Sequence, residues 1–362
     1  MSTIEKSGPP SGPTAGPFSH APNSIDKTMK TVWLALAPAT LFNLWLFGWP
    51  AIYLFAITVA AAIGFEALCL QLMGRDIGKS LYDGSAVLTG WLLAMSLPPW
   101  APWWLGVLGS FIAIVLAKQA FGGLGQNLFN PAMVGRVALL VSFPVIMTAW
   151  VAPQPLFSAS SPGLTQSIAI VAGNIPDAMS SATPLGHVKT ELSRGIPVSE
   201  SVQETPSLRD MFVGQRAGSL GETSVLLILA GGLFMLYCRT ISWHVPVAML
   251  GSLFLIGEVT HLVDAQRYSS GLFHLLSGAS FLGAFFIATD YVTSPLSKLG
   301  LFIYGIGCGL LTWVIRTYAG YPEGVAFAVL LMNSLTPIID QYTRPRIFGR
   351  QRNGAPLTLR KE

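Results

Sequence analysis

The stretch "LLILAGGLFMLY", residues 226–237, is apolar on every face of any helix built from it. A helix at a water boundary keeps one polar side, so this segment is not made for water. Apolar runs of roughly 18 residues or more recur along the chain, long enough to cross a hydrocarbon layer about 30 Å thick. A spanning segment must satisfy its own backbone, which leaves helices or a closed barrel. Barrel strands alternate apolar and polar residues, and these runs do not. The sequence therefore predicts an all-α polytopic membrane protein. Only 10% of its residues are charged, against about 25% in a soluble domain, too few to cover the chain in water. The formal net charge of +4 is then a matter of membrane topology rather than of nucleic-acid binding.

About ten transmembrane helices are expected, as two inverted five-helix repeats. Residues 1–28 are rich in Pro, Gly and Ser, lack the apolar core of a secretory signal, and read as a flexible cytoplasmic tail. The first repeat, 29–150, holds spans at 30–48, 49–73, 85–99, 103–121 and 130–150. A polar region, 151–221, follows as an external loop, and the second repeat, 222–342, holds spans at 223–239, 243–260, 271–291, 298–317 and 324–342. The tail 343–362 is basic and cytoplasmic. The third span ends in "LPPWAPWW", where prolines stop the helix and tryptophans suit a membrane interface. With both termini inside, fourteen Lys and Arg lie inside and six outside, four of the six in the one long loop, while Arg136 falls within a span. Cations are enriched in short cytoplasmic loops, which supports that orientation. Two sets of five place the second copy upside down. "LTGWLLAMSLPPW" (88–100) resembles "LSGASFLGAFFIATD" (276–290), and "LFNPAMVGR" (128–136) faintly echoes "LMNSLTPIID" (331–340). Inverted repeats with broken helices put ligand sites near the repeat interface.

Three groups of residues can carry chemistry. The first is "DAMSSATPLG", 177–186, in which Asp177, Ser180, Ser181, Ala182 and Thr183 form D-x-x-S-S-A-T. Its small flanks leave a hydroxyl open to a bulky partner, with His187 and Lys189 as counter-charges for a phosphate. The second is "FGGLGQN", a Gly-rich loop bearing Asn127 that enters a helix at Pro131 with Asn130 as its N-cap. The third is the buried charges Glu66, Arg136, Glu258 and Asp290. Ionisable groups at membrane depth mark pathways by default. Glu66 and Glu258 sit late in the second and seventh spans, which fits paired roles in cation passage or in holding the halves together; Asp290, at a helix end, also reaches the interface. Cys69, Cys238 and Cys308 lie far apart in apolar runs and read as small buried hydrophobes, not as a metal site. There is no G-x-G-x-x-G and no cysteine cluster for iron–sulfur binding.

The D-x-x-S-S-A-T run resembles the flavinylation motif of the RnfD/NqrB family, in which the last Thr carries FMN through a phosphoester installed from FAD by a flavin transferase. "GGLGQNLFNPAMVGR" (122–136) is similar to that family's Gly-rich turn and N-x-x-N-P-A element. "FFIATDYVTSP" (285–295) is similar to its A-T-D-P-V-[ST] element, with Tyr291 where Pro is frequent. The likeness spans residues 25–345 and is nearer RnfD than NqrB, given the "SATPLG" ending and the short N-terminal tail. It implies covalent FMN at Thr183, with Asp177, Ser180 and Ser181 around it, and non-covalent riboflavin at Asn127 and Asn130. It also implies a membrane subunit of a ferredoxin:NAD⁺ oxidoreductase complex, coupling electron flow to Na⁺ or H⁺ translocation across the bacterial inner membrane. Such a subunit is not catalytic alone. Its partners are the other complex subunits, the lipid bilayer and a flavin transferase, and NAD and iron–sulfur sites belong to other subunits. The alternative that the spans alone allow is an inverted-repeat solute channel or transporter without a redox cofactor.

Overall fold

The computed structural model describes residues 25–174, 180–321 and 323–344. Both predicted tails thus fall largely outside the described residues, as does Asp177. Helix α1 (Ile25–Leu72) runs 48 residues, roughly 70 Å at 1.5 Å per residue. It is two helical segments joined at a kink. Gly48 has φ 75°, and Pro50 follows, so the ladder is broken where proline has no N–H to give. The carbonyls released there are each met from outside. Leu156 N–H donates to Trp45 O at 2.8 Å, Gln154 N–H to Leu46 O at 2.9 Å, and Trp100 Nε1 to Phe47 O at 2.9 Å.

After α2 (Ile77–Leu81) come α3 (Ser85–Ser96) and α4 (Trp103–Phe111). The latter continues as a π-helical turn, Ile112–Leu116. Helix α5 (Pro131–Ser142) leads through α6 (Pro144–Met147) to β1 (Trp150–Val151) and α7 (Leu164–Val171). The polar region adds β2 (Ser180–Ser181), which pairs antiparallel with β1, then α8 (Pro184–Ser193), α9 (Val198–Ser201) and α10 (Leu208–Val213). The second half holds α11 (Val225–Tyr237), α12 (His244–Val263), α13 (Gly271–Leu276) and α14 (Ser280–Leu282). Helix α14 also passes into a π-helical turn, Gly283–Ile287, and α15 (Lys298–Tyr318) and α16 (Val325–Tyr342) close the chain.

Among the described residues, five helices are long and apolar enough to cross a bilayer: α1, α4 with its extension to Phe121, α12, α15 and α16. The expectation of ten full-length spans is met only in part. Helices α3, α5 and α11 are apolar but of 12, 12 and 13 residues, short of the roughly 20 needed. Prolines cut the first two, at Pro98 and Pro144, and Ser224 caps the third. The expected span 271–291 is broken at Ser277–Gly278–Ala279. Residues 216–224 are not a surface loop. They are buried in the bundle, where Gly221 N–H donates to Met95 O at 2.6 Å and Asn43 bonds Leu220 O and Thr223. Cys69 and Cys308 are buried as expected, but Cys238 is exposed because it caps the end of α11.

Close packing uses small residues, as helices in lipid require. Helix α15 presents Gly305 and Gly309 to α12; a Cβ on Gly305 would meet Val245 O at 2.9 Å, and one on Gly309 would collide with Met249 O. The main core joins α1, α3 and α5 from the first half with α11, α12 and α15 from the second, through Phe47, Leu93, Met249 and Tyr304 among others.

Candidate functional site

A cavity with an open mouth lies at the end of the bundle where α1 begins. Its wall brings together residues far apart in sequence: Asn127, Asn130 and Asp290, all singled out above, with Ser85, Lys118 and Phe285. Asn130 is the N-cap of α5. Its Oδ1 accepts from Met133 N–H at 3.3 Å, and Pro131 occupies the first turn. Asn127 Nδ2 donates to Phe129 O at 3.0 Å and holds the Gly-rich turn. Asp290 accepts from Val292 N–H at 3.4 Å and from Thr293 Oγ1 at 3.2 Å, both within its own turn. Phe285, Phe286 and Tyr291 add flat apolar surface. An aromatic wall with convergent amides suits a planar heterocycle with a hydrogen-bonding edge.

Glu66 is buried and paired. Lys118 Nζ donates to Glu66 Oε1 at 2.9 Å and to Ser85 Oγ at 2.7 Å, and Gln119 Nε2 donates to the same carboxylate oxygen at 2.6 Å. Glu66 Oε2 has no partner among the described residues. Since Lys118 also lines the cavity, the carboxylate stands one side chain behind its wall. Glu258 is half-buried, and its Oε2 accepts from Gly271 N–H at 3.0 Å, at the first residue of α13. The two glutamates do not meet. Each instead serves the start of a short helix in its own half, Glu66 through Lys118 and Ser85 at α3, Glu258 directly at α13.

Thr183 is the N-cap of α8, and its Oγ1 accepts from Gly186 N–H at 3.1 Å. The sequence suggests an open hydroxyl; the residue is only 7% exposed, because capping turns the side chain onto the helix. The chain enters the cap from β2, where Ser181 opposes Trp150 and Ser180 opposes Val151. The suggested counter-charges are engaged elsewhere. His187 Nε2 shares a hydrogen bond of 3.1 Å with Glu204. Lys189 Nζ donates to the carbonyls of Arg316 at 3.0 Å and Tyr321 at 3.2 Å, and to that of Ala319, closing the end of α15. Burial pulls the Lys189 ammonium below its usual pKa. For a phosphate at Thr183 the available partner is therefore the positive dipole end of the ten-residue α8, since Pro184 has no N–H and the N–H groups of Gly186 and His187 are taken by Thr183 itself.

Residues 13–349 match the NQR2, RnfD, RnfE family. The chain belongs to that family. Over 341 residues it is 51% identical to a Stutzerimonas stutzeri protein that bears the name of an ion-translocating oxidoreductase complex component, covering 94% of this chain and 96% of that one. The protein of the same name from Halorhodospira halophila is 48% identical over 350 residues, covering 96% and 98%. That from Rhodobacter capsulatus is 49% identical over 303 residues, covering 84% and 85%.

In this family member the structure adds charged residues that no motif marks. Lys118 looks in sequence like an ordinary loop cation, yet it is 2% exposed. Arg216, Glu222, Arg316 and Glu323 gather with Arg136 around the break between α13 and α14. Arg316 donates to His274 O at 2.6 Å, Ser277 O at 3.1 Å and Glu323 Oε1 at 3.1 Å, and Arg216 donates to Leu276 O and Glu222 O. Glu323 Oε2 accepts from Ala279 N–H at 3.0 Å. The arginines thus take the orphan carbonyls at the end of α13, and the glutamate takes the orphan N–H at the start of α14. Two guanidinium groups within predicted spans, Arg136 in 130–150 and Arg316 at the end of 298–317, are the sequence signals of this network.

Proposed function

We propose that this chain is the flavin-carrying membrane subunit of an ion-translocating oxidoreductase complex, with FMN esterified to Thr183 and riboflavin held without a covalent bond in the cavity of Asn127 and Asn130. The relatives' shared name, at 48–51% identity over most of the chain, supports membership of such a complex. The observation that carries the flavin reading is the placement of the Thr183 hydroxyl at the N-terminus of α8 within D-x-x-S-S-A-T. Flavins, when bound, supply the redox chemistry. The chain's own residues bind, orient and shield. The α8 N-terminus offers the positive end of its dipole to the phosphate, and Lys189 ties α8 to the end of α15 so that its position is fixed. In the cavity Asn127 and Asn130 offer amide atoms and Lys118 a positive charge.

In the same reading both termini are cytoplasmic, the segment bearing Thr183 is external, and the protein sits in the bacterial inner membrane. The two halves are inverted repeats. The π-helical turns Ile112–Leu116 and Gly283–Ile287, one in each half, and the like placement of Glu66 and Glu258 support that relation. Glu66, Glu258 and Asp290 are candidates for the path of the translocated ion, Na⁺ or H⁺. A flavin transferase loads Thr183, and ferredoxin and NAD⁺ react on partner subunits.

The test uses Thr183→Asn. Asparagine caps a helix as well as threonine but has no hydroxyl to esterify, so folding and assembly are retained while covalent flavin is lost. Fluorescence of the denatured protein and the mass of the peptide bearing residue 183 report the outcome. Covalent flavin that persists in the Asn variant, or a wild-type peptide without the FMN mass, refutes the assignment and moves the cofactor-free transporter ahead.

A further inference from the structure

The wall of the cavity holds a buried cation that hydrogen bonds link to water by a way other than the mouth. Lys118 and Ser85 both line the cavity, and they are 2% and 4% exposed. Lys118 Nζ donates to Ser85 Oγ at 2.7 Å, and Ser85 Oγ donates to Asp83 Oδ1 at 2.6 Å. Asp83 is half-buried and is not part of the wall. The chain Lys118–Ser85–Asp83 therefore runs from the cavity, through its wall, to a carboxylate at the start of α3 that water reaches.

Each member is held in place. Glu66 Oε1 fixes Lys118 from the other side at 2.9 Å. Asp83 Oδ1 also accepts from Ser85 N–H at 2.7 Å, which keeps the carboxylate beside the hydroxyl. A hydroxyl both donates and accepts, and a buried lysine serves readily as acid and base. Ammonium, hydroxyl and carboxylate in hydrogen-bonded sequence are the parts of a proton relay. The relay enters through the wall, so it stays open when the mouth is filled.

This inference rests on the reading of the cavity as a flavin site. We propose that Asp83, Ser85 and Lys118 form a proton path into the cavity, serving an occupant that takes up protons as it is reduced. Lys118 Nζ gives a proton to the occupant. The Ser85 hydroxyl then turns to the freed amine, gives it a proton and takes one from protonated Asp83, which recovers its own from water. One proton enters the cavity for each that leaves water, and the three side chains end as they began. Electrons arrive separately, from the redox partners of the complex. On oxidation the same links, whose donors already point outward, return the proton.

The test uses the full chain in lipid nanodiscs, carrying Thr183→Asn so that the cavity holds the only flavin. Riboflavin released on denaturation is measured first; its absence removes the flavin reading and the path with it. With riboflavin bound, reduction by dithionite is followed by flavin absorbance in stopped flow. Asp83→Asn keeps an oxygen for Ser85 N–H, and Ser85→Ala removes only the hydroxyl. Each slows reduction by roughly tenfold or more at unchanged flavin content. Added imidazolium restores the rate of Asp83→Asn, where a small acid replaces the carboxylate at the water end. It does not restore Ser85→Ala, where the gap is inside the wall. Wild-type rates in both variants overturn the proposal, as does rescue of both or of neither. Should a variant lose its flavin, the unsubstituted path decides in mixtures of light and heavy water. A rate that falls along a curve with deuterium content supports several protons moving in series, and a straight line or no isotope effect refutes the path.

Discussion

Two buried breaks between helices of the bundle are built in opposite ways. The first, residues 97–102 between α3 and α4, reads Leu-Pro-Pro-Trp-Ala-Pro and is buried throughout. Three of its six residues have no N–H at all, so little is left unsatisfied. Of the three N–H groups that remain, two are met locally: Leu97 N–H donates to Ala94 O at 3.2 Å and Ala101 N–H to Pro98 O at 3.1 Å. The second, Ser277–Gly278–Ala279 between α13 and α14, keeps its amide groups. Ser277 N–H donates locally to Phe273 O at 2.9 Å, but Ser277 O accepts from Arg316 and Ala279 N–H donates to Glu323, while Arg216 takes Leu276 O just before the break. One break removes the donors and the other supplies partners. The charged solution demands desolvated ions held in place by tertiary structure, so it is the more vulnerable to a single substitution.

That difference can be broken or sharpened by mutation. The largest effect is expected for Arg316→Met, which leaves Glu323 and three backbone or hydroxyl acceptors of the break without their donor. Removing one partner of a buried ion pair costs about 3–5 kcal/mol, and the variant should assemble poorly and unfold at markedly lower temperature in nanodiscs. Glu323→Gln keeps an oxygen for Ala279 N–H and loses the charge, so a smaller loss of about 1–3 kcal/mol is expected in the same thermal assay. Pro98→Ala returns one N–H to the proline-built break, next to carbonyls that can accept it, and should shift stability by about 1 kcal/mol or less. If Pro98→Ala proves as damaging as Arg316→Met, the two breaks do not differ in the way their hydrogen bonding implies.

How much is legible in the sequence follows the same division. The Pro-Pro stop after α3 and the Asn130 cap before Pro131 are readable because each rests on residues adjacent in the chain. Residues 48 and 49 read as the boundary between two spans; that α1 continues through the kink depends on the N–H groups of residues 154 and 156 arriving to meet the freed carbonyls. Asn127, Asn130 and Asp290 stand out separately in sequence, and the structure brings them to one cavity. Lys118 does not stand out, since nothing local distinguishes a lysine destined for a buried glutamate 52 residues earlier. Thr183 reads as an open hydroxyl, whereas capping buries it.

The sequence by itself determined the class of solvent the chain folds in, because hydropathy is a property of composition and needs no partner. It also determined the proline and asparagine signals at helix ends, which act within one turn. Only the tertiary structure decided where the charges go. Lys189 closes the end of a helix about 130 residues away, and Arg216 takes a carbonyl 60 residues on. In a low-dielectric interior a charge must find a partner or a counter-ion, and which partner lies within reach is set by how the helices pack.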